Sequence, residues 1–164
     1  MDKEDPKKIS PNEVGLEIGP VLSRFFFNTE HLHFGYWPDD LSVKLENLKK
    51  AQDCHSDQIL NSIPDGVKTV LDVGSGSGGL AEKLVNNGYT VDCVSPSDYL
   101  SDAIEGKLKN SVSVYRSTFE KLELNKKYDI VIFSESFQYV NIKKSLKKIP
   151  HAVHDKGHLL ICDF

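Results

Sequence analysis

No apolar run in this sequence approaches the ~20 residues that a helical bilayer crossing requires, and the charged N-terminus lacks the apolar core of a secretory signal. Cysteine is scarce. Cys54, Cys93 and Cys162 are odd in number, widely spaced and without metal-ligand spacing, so neither a disulfide framework nor a metal site is expected. They read as reduced cysteines of a cytoplasmic protein, with Cys93 and Cys162 as filler inside strand patterns. Basic charge is in deficit: the 164 residues carry a net charge of −4, which argues against general nucleic-acid or anionic-membrane binding. Internal repeats and low-complexity segments are missing too. What remains, 39% hydrophobic and 27% charged residues, is the make-up of one globular domain with a sizeable core.

The chain is organised around Val70-Leu71-Asp72-Val73-Gly74-Ser75-Gly76-Ser77-Gly78-Gly79-Leu80. A β-branched apolar run ends in an acid, passes through a glycine-rich turn and opens a helical pattern, which reads as strand, turn and helix. Glycine takes φ > 0 and lets a ligand approach the bare peptide, while the helix that follows presents unpaired N–H groups. Ser77 is the expected N-cap, with Leu80 and Leu84 on the buried face. Two registers coexist: Gly74, Gly76 and Gly78 spell G-x-G-x-G, and Gly74, Gly76 and Gly79 spell the dinucleotide fingerprint G-x-G-x-x-G. Asp72 tilts the choice, because its carboxylate repels a pyrophosphate and attracts a sulfonium or an α-ammonium group.

Around this stretch the pattern alternates. Ser10 and Glu13 form a capping box with Pro11 at the first helical position; Val14, Ile18, Val21, Leu22 and Phe25 follow at helical spacing, and Gly19-Pro20 is expected to kink or split that helix. The aromatic stretch from Phe26 to Pro38 suits neither a plain linker nor a regular helix, and reads as a cover or as a staple for the N-terminal helices. Asp39 or Asp40 is expected to cap a helix with Leu41, Leu45, Leu48, Ile59 and Ile63 on one stripe. Strands are predicted over 67–73, 89–94, 111–115, 128–133 and 158–162, with helices over 77–87, around Leu100, Ile104 and Leu108, and from Ile142 to Val153. Lys143, Lys144, Lys147 and Lys148 read as a solvated helix face, and Asp155-Lys156-Gly157 as a turn. Strands alternating with helices give an α/β three-layer sandwich with a mainly parallel sheet in the order 3-2-1-4-5, whose ligand lies at the carboxyl ends of the strands. The predicted division is 1–66 as an N-terminal helical and aromatic lid and 67–164 as the ligand-binding domain.

At the glycine turn the chain resembles the class I S-adenosylmethionine-dependent methyltransferases, whose first motif runs hydrophobic-Leu-Asp-hydrophobic-Gly-x-Gly-x-Gly. The resemblance implies a Rossmann-like fold, S-adenosyl-L-methionine as cofactor, and methyl transfer by in-line displacement to a small-molecule or peptide acceptor. It implies cofactor contacts from Asp72, Gly74, Ser75, Gly76 and Gly78. The acid that commonly binds the ribose in this family falls on Ser95, beside Pro96, so the chain departs from the family there, with Asp92 and Asp98 as near neighbours. Thr118 and Phe119 match the adenine-contacting pair, Phe119 being equally readable as a core aromatic. Ser134 would lie beside the methionine moiety and Glu135 would face the cleft or solvent. Tyr36 would bond the cofactor carboxylate while Trp37 closes the site, and His31, His33 and Glu135 are the candidate general bases.

The family fold usually continues past a fifth strand, whereas this sequence stops at Asp163-Phe164. A truncated chain, a split enzyme, or a domain completed at strand five by a partner or a second copy is therefore expected. Two other functions stay open: a non-catalytic methyltransferase-like subunit, and an NAD(P)-binding oxidoreductase domain using the second glycine register.

Overall fold

The computed structural model describes residues 11–163. Strands β1 (Thr69–Val73), β2 (Thr90–Val94), β3 (Val112–Tyr115), β4 (Tyr128–Ser134) and β5 (Val153–Cys162) form one sheet in the order β3-β2-β1-β4-β5. Every pairing is parallel, as expected for right-handed βαβ crossovers. Helices α1 (Pro11–Phe27), α2 (Leu48–Asn61), α3 (Gly79–Asn86), α4 (Asp98–Leu108) and α5 (Ile142–Ala152) complete the chain.

The three central strands, β1, β2 and β4, are buried on both faces, which explains their near-continuous apolar runs. On one face Val70, Val91, Cys93, Ile130 and Ile132 pack with Ile59 of α2, Leu80 and Leu84 of α3, and Ile104 and Leu108 of α4. On the other, Leu71, Val73, Val94, Val131 and Phe133 pack with Phe119, Leu122 and, from α5, Ile149 and Ala152. The three-layer arrangement follows from this alternation. β5 forms one edge of the sheet, with Leu159 and Ile161 exposed beside it.

Several local expectations need correcting. The first helix runs unbroken through Pro20, because Pro20 is buried and tertiary contact with α4 outweighs the lost backbone bond. Its residues Ile18, Val21, Leu22, Phe25 and Phe26 are exposed rather than core. Ser10 of the expected capping box lies outside the described residues. Asp39 and Asp40 cap no helix: they sit in a turn, a short 3₁₀ segment follows at Leu45–Asn47, and α2 starts only at Leu48. Asp155-Lys156-Gly157 lies inside β5 rather than in a turn before it. The register against β4 jumps from Tyr128↔Val153 to Ile130↔His158, so the extra residues are taken up as an irregularity in the strand.

Below the sheet, Asp92 gathers three donors on one oxygen: Tyr128 Oη at 2.6 Å, Tyr115 Oη at 3.4 Å and Lys126 Nζ at 2.6 Å. Burial first, and then Asp92, push the Tyr128 phenol far upward, so it stays a donor. Tyr128→Phe removes one of these donors and should cost about 1–2 kcal/mol in urea unfolding. An unchanged midpoint would mean that Lys126 and Tyr115 satisfy Asp92 without it.

Candidate active site

The end of β1 hands the chain to three glycines in succession with left-handed backbone, Gly74 at φ 77°, Gly76 at φ 54° and Gly78 at φ 82°. Each meets different surroundings. A Cβ on Gly74 would lie 2.4 Å from Ser136 Cβ, and one on Gly78 would press on Ile104 at 3.2 Å. A Cβ on Gly76 would meet nothing within 4 Å. Packing therefore requires glycine at 74, crowding at Gly78 adds to its left-handed backbone, and Gly76 faces open space.

The turn is fastened on three sides. Gly74 N–H donates to Val94 O at 2.9 Å and Ser75 Oγ to Asp72 O at 2.8 Å, while Ser136 Oγ donates to Val73 O at 2.5 Å. Ser77 does not cap α3. Gly78 takes the N-cap position, and the Ser77 hydroxyl instead donates to Glu30 O at 2.8 Å, tying the turn to the segment between α1 and α2.

Asp72 is only 1% exposed, and its Oδ2 has no hydrogen-bond partner. Burial pushes its carboxyl up to about 7. It can act on a ligand as a charge beneath the turn but not by direct contact. A buried, under-satisfied carboxylate is costly, and a cation above it relieves that cost.

Residues 28–38 form an irregular strap across this end of the molecule. Gln52 of α2 holds it: Gln52 Nε2 donates to His33 O at 2.6 Å, and Thr29 Oγ1 donates to Gln52 Oε1 at 2.6 Å. Tyr36 N–H donates to Ala51 O at 2.9 Å. His31 lies against the start of α3, where a Cβ on Gly79 would come within 2.4 Å of its ring. A pyrophosphate bound in dinucleotide fashion needs that helix N-terminus, and here an imidazole covers it.

Beside the turn, α1, the strap and α4 enclose a cleft of about 570 Å³ that reaches Ser77, with Pro20, Val21, Phe25, Leu100 and Ala103 among its walls.

The remaining residues singled out from sequence fall in varied places. Ser95 is buried, and its hydroxyl is spent on the Ser97 backbone at 3.4 Å, so it points into its own turn beside an exposed Pro96. Asp92 is occupied as described, and Asp98 is exposed beside Arg116 at 3.5 Å. Thr118 is half-buried in the turn after β3. Phe119 is sealed in the core, edge-on to Phe133 at 5.3 Å. Tyr36 borders a depression on the solvent side of α2 with Cys54, Asp57 and Asn61, and Trp37 Nε1 donates to Phe34 O at 2.9 Å within the strap. The contacts of Tyr36 and Trp37 are thus with α2 and within the strap.

Three imidazoles cluster instead. The His33 ring lies 5.0 Å from His31 and 4.4 Å from His55, and His55 Nε2 is 3.1 Å from Ser134 Oγ. Burial, reinforced by His55 and then His31, drives His33 down to about 3, and burial lowers His31 and His55 as well. His33 is therefore a poor proton acceptor. Glu135 has the opposite character. It follows β4 with φ 54°, its N–H donates to Cys162 O at 2.8 Å, and its buried Oε1 has no partner. Burial first, and then Asp163, raise its carboxyl.

Gln52, His55, Ser136 and Glu30 were not found from sequence. Gln52 and His55 do lie on one buried stripe of α2 with Ala51, Ser56 and Ile59, so polar residues recurring on an apolar helical face were the available signal.

Residues 71–161 match the family described as a methyltransferase domain. The chain belongs to that family. An uncharacterized methyltransferase of Staphylococcus carnosus is 31% identical over 97 residues, covering 57% of this chain and 46% of the relative. A ubiquinone biosynthesis O-methyltransferase of Rickettsia bellii is 30% identical over 96 residues, covering 56% and 40%. The chain thus spans less than half the length of these curated relatives. Among solved structures, coclaurine N-methyltransferase bound to N-methylheliamine and S-adenosylhomocysteine superposes with a TM-score of 0.71 at 23% identity, over 90% of this chain and 47% of the other. Mycolic acid cyclopropane synthase complexed with S-adenosylhomocysteine superposes at 0.69 and 20% identity, over 94% and 57%. At such identities the likeness is one of fold: the methyltransferase domain has the Rossmann-like architecture of those enzymes. Among its described residues no helix is long and apolar enough to cross a membrane.

Proposed function

We propose that this methyltransferase domain binds S-adenosyl-L-methionine across the glycine turn and takes part in methyl transfer to a small-molecule or peptide acceptor. The observation that carries the reading is the turn itself: open space in front of Gly76, a buried carboxylate beneath at Asp72 with one oxygen lacking a hydrogen-bond partner, and an imidazole over the helix start that a pyrophosphate would need. The curated and solved relatives, methyltransferases by name or by bound S-adenosylhomocysteine, support the same choice.

When bound, the cofactor supplies a methyl group already activated on a sulfonium. The chain's own residues then have limited tasks. Gly74 to Gly78 give a side-chain-free surface, and Asp72 sets a negative potential under it. α1 and the strap, residues 11–38, act as the cover that excludes water. Where the acceptor must lose a proton, Glu135 is the best suited of the three sequence candidates, since burial and then Asp163 raise its carboxyl, making it a stronger base, while His31 and His33 are lowered. Ser95 offers the ribose no free hydroxyl, so sugar recognition falls to the backbone of the 95–97 turn.

Titration of the purified chain with S-adenosylmethionine, S-adenosylhomocysteine and NADH tests the reading. Binding of the first two without the third is expected, and binding of NADH alone overturns it.

A pH dependence follows from Asp72. Its carboxyl stands at about 7 in the fold against an ordinary 3.8, so its contribution to stability is whole below about 3.8 and lost as pH rises toward about 7. A cationic ligand prefers the ionised form. Affinity for S-adenosylhomocysteine, which carries an α-ammonium group, should therefore rise by up to about tenfold from pH 6 to pH 8, and Asp72→Asn should flatten that rise. A flat profile in the unaltered chain would remove Asp72 from the site.

A further inference from the structure

The strap is fastened to α2 through an imidazole whose protonation state is set by its bonding. Gly35 N–H donates to His33 Nδ1 at 3.1 Å, so that nitrogen carries a lone pair, and His33 is neutral with its proton on Nε2. The bond closes the bend in which Gly35 takes φ 81° and lies against the Ala51 and Gln52 backbone of α2. One residue on, Tyr36 N–H reaches Ala51 O at 2.9 Å. The carbonyl of His33 accepts Gln52 Nε2 at 2.6 Å. Ring, backbone bend and docking onto the helix thus meet within residues 33–36.

The surroundings oppose a second proton. The His33 ring lies 4.4 Å from that of His55, a fully buried residue of α2, and 5.0 Å from that of His31. Burial, and then these two imidazoles, drive His33 down to about 3. The charged groups nearby act on His31: Asp53 of α2 favours its charged form, Lys107 of α4 and Lys83 of α3 oppose it, and burial outweighs Asp53. His55 is held from the sheet, with Nε2 3.1 Å from Ser134 Oγ and Nδ1 4.0 Å from Cys162 Sγ, and burial lowers it too. A proton on His33 Nδ1 would aim one N–H at another, that of Gly35, and would set an imidazolium beside two imidazoles.

We propose that His33 is a proton-operated latch on the cover: neutral, it holds the strap on α2, and protonated, it lets the strap lift. The strap also carries Glu30, whose carbonyl accepts the Ser77 hydroxyl at 2.8 Å, so release reaches the glycine turn. That the latch gates a cofactor rests on the proposed function; the latch itself does not. The sign follows from the two states. In the closed strap His33 takes up a proton only near about 3, whereas a released imidazole does so at the ordinary 6.5. The closed strap is therefore favoured in full above about 6.5 and loses ground as pH falls toward about 3. Between pH 7 and pH 5 the opening equilibrium should rise roughly 25-fold for this one site, and the lowered His31 and His55 act in the same direction.

Hydrogen exchange of single amides in the full chain without ligand reads this opening directly, so its outcome is independent of whether S-adenosylmethionine binds. With rates corrected for the intrinsic effect of pH, protection at Gly35 and Tyr36 should drop about 25-fold or more from pH 7 to pH 5, while protection at Leu71 in β1 holds. His33→Asn offers an oxygen that bonds the amide two residues on and takes up no proton in this range, so the drop at Gly35 and Tyr36 should shrink to a few-fold. An unchanged pH profile in His33→Asn overturns the latch, as does constant protection in the unaltered chain. Should the variant already lack protection at pH 7, the imidazole resonances of the unaltered chain decide. Protonation of His33 that tracks the loss of Gly35 protection supports the proposal; protonation near 6.5 with Gly35 still protected overturns it.

Discussion

Gly76→Val should leave a folded domain that no longer binds S-adenosylhomocysteine. Gly76 sits at φ 54° with nothing within 4 Å of the place a Cβ would take. Within the protein the substitution therefore meets only backbone strain, on the order of 1–3 kcal/mol for a β-branched residue with positive φ. That lowers the melting temperature without removing the fold. Toward the ligand the change is far larger, because an isopropyl group fills the space in front of the turn and prevents close approach to the peptide. A loss of at least about a hundredfold in affinity is expected, roughly 2.7 kcal/mol. Gly74→Ala gives the contrast. Its Cβ would lie 2.4 Å from that of Ser136, so stability, rather than the ligand space, takes the first loss. If Gly76→Val bound as well as the unaltered chain, the open face of the turn would not be the site.

Gly35→Ala should loosen the strap from α2. At φ 81° its Cβ would come within 2.5 Å of Ala51 C and 2.6 Å of Gln52 N. Both are backbone atoms of a helix and cannot move aside. The strap must lift, taking with it the Tyr36-to-Ala51 bond and the bonds that Gln52 makes to His33 and Thr29. Left-handed strain and the loss or weakening of these three hydrogen bonds together suggest about 2–4 kcal/mol. The sheet and its two cores do not depend on this contact, so circular dichroism should keep its α/β signature while limited proteolysis cuts between residues 28 and 44. Affinity for S-adenosylhomocysteine should fall as well, because Glu30 and His31 ride on the strap. Unchanged proteolysis would show that the strap is held elsewhere.

The parts legible in the sequence were those whose chemistry is local. A β-branched run ending in Asp72 and followed by alternating glycines can hardly be anything but a strand entering a ligand turn, and the alternation of strands with helices fixed the parallel order. The buried stripe Leu100, Ile104, Leu108 of α4 follows the same local logic. Illegible were the features that distant contacts decide. Pro20 stays inside α1 because α4 supports the helix, which nothing near Pro20 reveals. The aromatic strap was visible as a cover, but the direction of each ring was not. Tyr36 makes its contacts beside α2 and Trp37 bonds within the strap, while the His31 ring lies against the start of α3. Phe119 has the same sequence neighbours whether it meets an adenine or Phe133. His33 and His55 come from different elements, and only the folded chain brings their rings together.

Hydrogen exchange read residue by residue, with and without S-adenosylhomocysteine, tests the central claim most directly, since it locates the ligand rather than merely detecting it. Slowed exchange at the amides of residues 74–79, at the 95–100 turn and along the strap from 29 to 37 is the expected result, with NADH leaving all three unchanged. Protection confined to other parts of the surface, or equal protection by NADH, would contradict the assignment of the glycine turn as an S-adenosylmethionine site.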